Sequence, residues 1–154
     1  SSFISLLNLT QERLAFGHLV SKTTGKVADK HKNELSKVII GACIEVHKQL
    51  GPGLLESVYE HCLEYELRNL GLDIKRQHPL PVVYKNNQMD LGFRLDIWVN
   101  EKVILEIKAV EALNDVHMAQ VLTYLKLSDC RLGLLINFNV ARLTDGLRRV
   151  VNQL

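Results

Sequence analysis

The sequence predicts an α+β domain, a sheet with helices packed on it, and three observations carry that reading. Apolar residues recur at spacings of three and four over residues 34–50 and 54–70, the mark of amphipathic helices. Short apolar–polar alternation fills most of 73–110, which reads as strands. A near-continuous apolar run from Arg131 to Phe138 reads as a strand covered on both faces. The chain has 154 residues, 47% apolar and 23% charged. That is one domain's length in an ordinary globular composition, which excludes wholesale disorder, collagen and a coiled-coil rod.

Taken in order, residues 1–33 read as an N-terminal extension and linker, and 34–154 as the domain. Thr10 to Val20 has the pattern of a short helix capped by Thr10. Ser21 to Asn33 is polar and basic, the composition of a linker. Leu35, Ile39, Ala42, Cys43, Val46 and Leu50 give helix 34–50 one apolar face, and Gly51-Pro52-Gly53 ends it. In helix 54–70, Leu55, Val58, Tyr59, Cys62 and Leu63 are expected inside, with Gly71 after its end. Strands follow at 73–78, 80–85, 88–99 and 102–110, with Asn86-Asn87 and Asn100-Glu101 as turns. Asn114 or Asp115 caps a helix reaching Lys126. After strand 131–138, Thr144 or Asp145 is expected to cap a last helix with Arg148 and Arg149 exposed. The order is α-α-β-β-β-β-α-β-α.

Several classes of function are excluded at this level. Cys43, Cys62 and Cys130 lie in apolar stretches without a CxxC pair, so they form neither a disulfide framework nor a zinc site. Reduced thiols of this kind point to a cytoplasmic protein. No apolar run approaches the about 18 residues that span a bilayer, and the N-terminus lacks the basic flank and cleavage site of a signal peptide. No P-loop, G-x-G-x-x-G or G-x-S-x-G motif is present. His47, His61 and His78 are scattered without metal-ligand spacing.

The hairpin around Asn100 carries the chemistry. Phe93, Leu95, Ile97 and Val99 alternate with Arg94, Asp96 and Trp98; Val103, Leu105, Ile107 and Ala109 alternate with Ile104, Glu106 and Lys108. With a side-chain period of two, both apolar rows meet one core only if odd residues pair with odd. Ile97 opposite Leu105 satisfies this; a tight two-residue turn at 100–101 does not. The expectation is therefore a three- or five-residue loop, or a bulge. Asp96, Glu106 and Lys108 then share one face. Two carboxylates brought together repel unless a cation lies between them or one takes a proton. A few hard oxygen ligands suit Mg²⁺ or Mn²⁺. Such an ion lowers a water's pKa and neutralises a phosphate oxygen, and a nearby lysine aligns that water or stabilises developing negative charge.

Alone, D-x9-E-x-K also fits a solvated hairpin face with cross-strand ion pairs; three further features add weight. Glu56 lies in the first turn of its helix, where the dipole favours a carboxylate. Gln120 and Tyr124 are one helical turn apart, and with His117 they make a polar stripe. The order of helix, strands bearing Asp then Glu-x-Lys, helix and strand is that of a metal nuclease. Gly53-Leu-Leu-Glu56-Ser-Val-Tyr59 reads G-x-x-E-x-x-Y. With Gly51-Pro52, Asp96, Glu106-Ile107-Lys108, Gln120-x-x-x-Tyr124 and Gly133 to Asn139, residues 34–152 resemble the GxxExxY family of the PD-(D/E)xK nuclease superfamily. The first 33 residues have no counterpart in that pattern.

The resemblance implies a restriction-endonuclease-like αβββαβ core, a mixed sheet flanked by helices. It implies metal binding by Glu56, Asp96, Glu106 and the Ile107 carbonyl, with Lys108 as the catalytic lysine. Gln120 and Tyr124 match a Q-x-x-x-Y motif that orients the site or touches the nucleic-acid strand, and His117 joins them as a substrate-binding candidate. The implied activity is Mg²⁺-dependent (or Mn²⁺-dependent) phosphodiester hydrolysis in DNA, with RNA the lesser alternative, by a metal-activated water. The rival readings are a non-catalytic nucleic-acid- or partner-binding module that keeps the fold, and a subunit active only within a complex. No membrane partner is expected; a homo-oligomer is compatible with the sequence, which names no protein partner.

The net charge of +2 fits this reading once it is divided. The first 33 residues hold 5 basic and 2 acidic groups, net +3; the rest hold 14 and 15, net −1. One divalent ion makes the body +1 and two make it +3. A near-neutral composition therefore does not exclude a phosphate-bearing partner, since the metal supplies positive charge at the phosphate.

Overall fold

A computed structural model describes residues 24–153. The expected helix at Thr10–Val20 lies outside the described residues. Three helices and five strands follow: α1 (Thr24–Leu50), α2 (Glu56–Asn69), β1 (Ile74–Tyr84), β2 (Asn87–Val99), β3 (Val103–Lys108), α3 (Asp115–Leu127), β4 (Leu132–Asn137) and β5 (Leu147–Val151). A short 3₁₀ turn, Leu143–Gly146, precedes β5. The sheet runs β1-β2-β3-β4-β5, parallel between β3 and β4 and antiparallel elsewhere. It is the expected α+β architecture, a mixed sheet flanked by helices, with αβββαβ as its core from α2 to β4.

Periodicity explains which face each element buries. All six residues of β4 are buried, as an apolar strand between two helical layers should be. On one face α1 and α2 bring Ile39, Cys43, Val46, Tyr59, Leu63 and Leu67 onto Val103, Leu105, Ile107, Leu134 and Ile136. On the other, α3 lays Val121 and Leu125 over Ile104, Leu135 and Val150. At Gly133 a Cβ would lie 2.6 Å from Val121 Cγ1, so the missing side chain is what lets α3 approach β4 this closely.

The β2–β3 hairpin bears out the parity argument. Ile97 pairs with Leu105, Trp98 with Ile104 and Val99 with Val103, which leaves a three-residue loop, 100–102. Asn100 and Glu101 take positive φ there, and Asn100 Oδ1 accepts the Asp73 N–H at 2.8 Å. The β1–β2 turn lies one residue earlier than expected, at Lys85 and Asn86, both with positive φ, as a tight primed turn requires.

Five expectations are corrected. Residues 24–33, linker by composition, are helical and run on into 34–50. Segments 73–78 and 80–85 form one strand, with a register shift between Pro81 and Val83. Leu55 and Val58 are exposed, because α2 buries the line Tyr59, Leu63, Leu67 and Leu55 precedes its first turn. The last helix is absent: Thr144 and Asp145 lie in the 3₁₀ turn, and Leu147 to Val151 is a strand. β4 would otherwise offer a bare edge, and the β-branched Val150-Val151 pair suits a strand that covers it.

The fifth correction concerns β2. Its odd residues do not all share one face: Ile97 and Val99 pack under α1 and α2, whereas Phe93 and Leu95 pack on the α3 side. β1 switches likewise, from Ile74 on the first face to Leu80 on the second. Between the switches, the ladder holds Arg76↔Ile97 and His78↔Leu95 but no Gln77–Asp96 pair. Gln77 has φ +51. Asp96 therefore sits where both strands turn over.

Candidate active site

Beyond Ile97 and Leu105 the β2–β3 pairing stops, and the Asp96 side chain continues in place of the main-chain ladder. Its Oδ2 accepts the Ile107 N–H at 2.8 Å. β3 stays paired with β4 through Lys108↔Asn137, so one edge of β3 remains fixed while the other opens towards Asp96. Amide and carbonyl of one residue in an extended strand point to the same edge. The Ile107 carbonyl thus faces this opening, as its amide does.

Glu106 and Lys108 project on the α3 side. Glu106 is buried at 6% exposure, and its Oε2 has no hydrogen-bond partner. Its other oxygen is 3.8 Å from Lys108 Nζ. Lys108 Nζ donates to Gln120 Oε1 at 3.4 Å on α3. Burial first, then the negative charge of Asp96, push the Glu106 carboxyl up to about 8. Burial lifts Asp96 to about 6 against the Ile107 N–H, with Glu60 and Glu56 adding repulsion and Lys108 relieving it. Tyr124 is buried on α3; burial and the charges of Glu106 and Asp96 raise its phenol to about 12.

Glu56 arrives from the opposite layer, and the G-x-x-E-x-x-Y motif explains how. Gly51 and Gly53 adopt φ +70 and +94, backbone that glycine takes without strain. Tyr59, fully buried and stacked on Phe138 at 4.5 Å, donates its hydroxyl to the Gly51 carbonyl at 2.6 Å. The same oxygen accepts the Leu54 N–H at 3.1 Å. The loop is thereby tied to the helix that follows it, and Glu56, first residue of α2, accepts the Ala109 N–H at 3.1 Å through Oε1. Tyr59→Phe is expected to destabilise the fold by about 1–3 kcal/mol, the penalty for stranding two partly buried backbone groups. Urea denaturation of both proteins checks it.

Asp96, Glu106, Lys108 and Gln120 thus lie together, with Glu56 at the neighbouring amide and Tyr124 within electrostatic reach. His117 is the third residue of α3, about one turn before Gln120. It closes the α3 capping box, its N–H on Asn114 Oδ1 at 3.0 Å and its Nδ1 accepting the Asn114 N–H at 3.2 Å. Trp98 packs on the α3 side, with His78 at 5.4 Å and Lys75 over its ring. His47 and His61 bond the carbonyls of Val140 and Ser57. Cys43 and Cys62 are free thiols, and Cys130 Sγ donates to the Lys102 carbonyl at 3.1 Å.

Three participants escape sequence reasoning. Glu60, buried at 6% exposure, accepts from Arg76 at 3.2 Å and from Gln77 Nε2 at 2.7 Å. Its spacing of four from Glu56 is the signal that could have found it. Gln77 also reaches Asp96 Oδ1 at 3.5 Å, but an unpaired position in a ladder leaves no trace in residue alternation. Asn137, buried, holds the chain after Lys108 by accepting the Val110 N–H and donating to its carbonyl.

Among the described residues, no group of three or more His, Cys, Asp or Glu side chains is arranged to hold a metal ion. Glu56 and one oxygen of Asp96 are engaged by backbone amides. The donors that do converge are the Asp96–Glu106 pair and the Ile107 carbonyl. An unpartnered buried carboxylate oxygen next to a second carboxylate is unfavourable without a cation or a proton, and all three donors are hard oxygens. They fit a Mg²⁺-like ion.

A family model described as the PD-(D/E)XK nuclease superfamily matches residues 33–150. The sheet order and flanking helices are those of its restriction-endonuclease-like fold. No curated protein and no solved structure matches the chain.

Proposed function

Because the chain belongs to the PD-(D/E)XK nuclease superfamily, we propose that it is a Mg²⁺- or Mn²⁺-dependent nuclease hydrolysing phosphodiester bonds in DNA, with RNA the lesser alternative. The observation that carries this reading is the buried Asp96–Glu106 pair with an unpartnered Glu106 oxygen, beside Lys108. Within the superfamily, the G-x-x-E-x-x-Y spelling of Gly53, Glu56 and Tyr59 supports assignment to the GxxExxY group. We propose 34–154 as the nuclease domain, with 1–33 an extension, and a cytoplasmic location. No described helix is long and apolar enough to cross a membrane.

Asp96, Glu106 and the Ile107 carbonyl would hold the ion, with Glu56 as the ligand recruited when its bond to Ala109 is exchanged. Bound there, a divalent ion neutralises a phosphate oxygen and acidifies water. Lys108 is held between Glu106 and Gln120, so its ammonium is oriented to align the attacking water and to stabilise charge developing on the phosphate. Gln120 fixes that lysine. Tyr124, its phenol kept protonated, is a hydrogen-bond donor for the nucleic-acid strand, and His117 Nε2, near the start of the same helix, is the remaining donor or acceptor.

The test is hydrolysis of single- and double-stranded DNA with Mg²⁺ or Mn²⁺ by wild type, Asp96→Ala and Lys108→Ala. Cleavage is expected to be lost in Asp96→Ala and strongly reduced in Lys108→Ala. Equal cleavage by all three exposes a contaminant and overturns the assignment. The rival, a non-catalytic binding module, draws on the backbone bonds that occupy Glu56 and Asp96. It expects salt-sensitive DNA binding with no turnover and no need for metal.

A further inference from the structure

We propose that Gln77 is a positioning residue: held on the buried Glu60, its side-chain amide aims the Asp96 carboxylate into the site. This rests on reading Asp96 as the metal-binding aspartate.

Three observations converge on it. Gln77 and Asp96 would face each other across β1 and β2, yet they alone drop out between Arg76↔Ile97 and His78↔Leu95. Gln77 takes φ +51, a left-handed backbone that disfavours a long L side chain and persists only where surroundings impose it. What the conformation achieves is visible in the side chain. Its Nε2 donates to Glu60 Oε1 at 2.7 Å and approaches Asp96 Oδ1 at 3.5 Å. An amide nitrogen carries two protons, so one group serves both carboxylates.

The charge pattern explains why a neutral donor belongs there. Glu60 is buried at 6% exposure and Arg76 binds the same oxygen that Gln77 does. Arg76 also pairs with Glu64 at 3.2 Å, and Glu64 with Arg68 at 3.6 Å. The Glu60 end is thus anchored through α2. Asp96 then has one oxygen on the Ile107 N–H and the other turned to the Gln77 amide. A cation at position 77 would take the place of the ion. An apolar residue would leave Glu60 and Asp96 to repel each other. Ligands of metal ions are commonly oriented by such outer partners, whose loss weakens metal binding by about 10–100-fold.

The test uses the full chain and two variants that suit the left-handed backbone. Gln77→Gly relieves the strain and removes the amide; Gln77→Asn keeps an amide but is one methylene too short. Hydrogen exchange of the Ile107 amide reports the Asp96 bond without any metal, with Asp96→Ala as the fully released reference. In both Gln77 variants the Ile107 amide is expected to exchange about tenfold faster or more, while Leu105 keeps its rate and the melting temperature holds or rises. Mn²⁺ titrated by calorimetry should bind both variants about 10–100-fold more weakly than wild type.

An unchanged Ile107 rate overturns the proposal, as does faster exchange spread through Leu105 and the rest of the sheet, which marks a purely structural residue. Wild-type Mn²⁺ affinity in the variants also overturns it. If Ile107 is released as expected but wild type itself takes up no Mn²⁺, positioning by Gln77 stands and the nuclease assignment falls.

Discussion

Glu106→Gln should make the metal-free protein more stable at pH 8 while abolishing its cleavage of DNA. The folded carboxyl stands at about 8, well above the usual carboxylate range, because it is buried beside Asp96. The native state therefore holds this proton over a pH range in which the unfolded chain has released it. Stability from this group is fully present below about pH 4.5 and is lost as pH rises towards 8. Asp96, lifted to about 6, adds a loss of the same sign over pH 4 to 6. Glutamine has no proton to lose, and its amide can donate to Asp96.

At pH 8 the difference between Glu106→Gln and wild type should be on the order of 3 kcal/mol, several degrees in melting temperature. It should vanish near pH 4, and saturating Mg²⁺ should close it again by stabilising wild type only. Thermal denaturation of both proteins from pH 4 to 9, with and without Mg²⁺, reads this directly. A wild-type melting temperature that climbs from pH 5 to 8, with the variant parallel to it, contradicts the burial argument.

Lys108→Ala is expected to lower the cleavage rate by about 10²–10³-fold, the usual loss when one donor to a developing oxyanion is removed. Its metal affinity should not fall. The ammonium lies 3.8 Å from Glu106 and is bound to Gln120, and it competes with a cation for the same carboxylate. Removing it should leave Mn²⁺ binding unchanged or tighter, with the loss confined to kcat. Single-turnover cleavage together with metal titration separates the two quantities. A variant whose Mn²⁺ affinity drops in step with its rate would place Lys108 among the groups that build the metal site.

These effects follow from how the backbone presents the residues, and much of that was legible. Alternation and parity were enough to allow Ile97 opposite Leu105 and to exclude a two-residue turn after Val99, leaving a three- or five-residue loop or a bulge, of which the three-residue loop is found. They also placed Glu106 and Lys108 on one face of β3. The glycines flanking Pro52 and the spacing to Glu56 and Tyr59 marked a helix start with a job, and the hydroxyl bonds of Tyr59 show the physical link between the letters of that motif.

The unread parts share a cause: they depend on departures from period. The change of face at Gln77 and Asp96 separates Leu95 from Ile97 although both are odd and apolar. Glu60 looks like any exposed helical acid until the left-handed backbone of Gln77 brings that side chain to it. Leu147 to Val151 is too short for periodicity to tell helix from strand, and the open edge of β4 decides it. Residues 24–33 are helical although their polar sequence imitates a linker.

The central claim is that Asp96 and Glu106 form a buried pair completed by a divalent cation. Calorimetric titration of Mn²⁺ into wild type and Glu106→Ala tests it most directly. Saturable binding by wild type, absent or weakened at least about 100-fold in the variant, is the predicted result. Identical heats from the two proteins would remove the metal site, and the proposed chemistry with it.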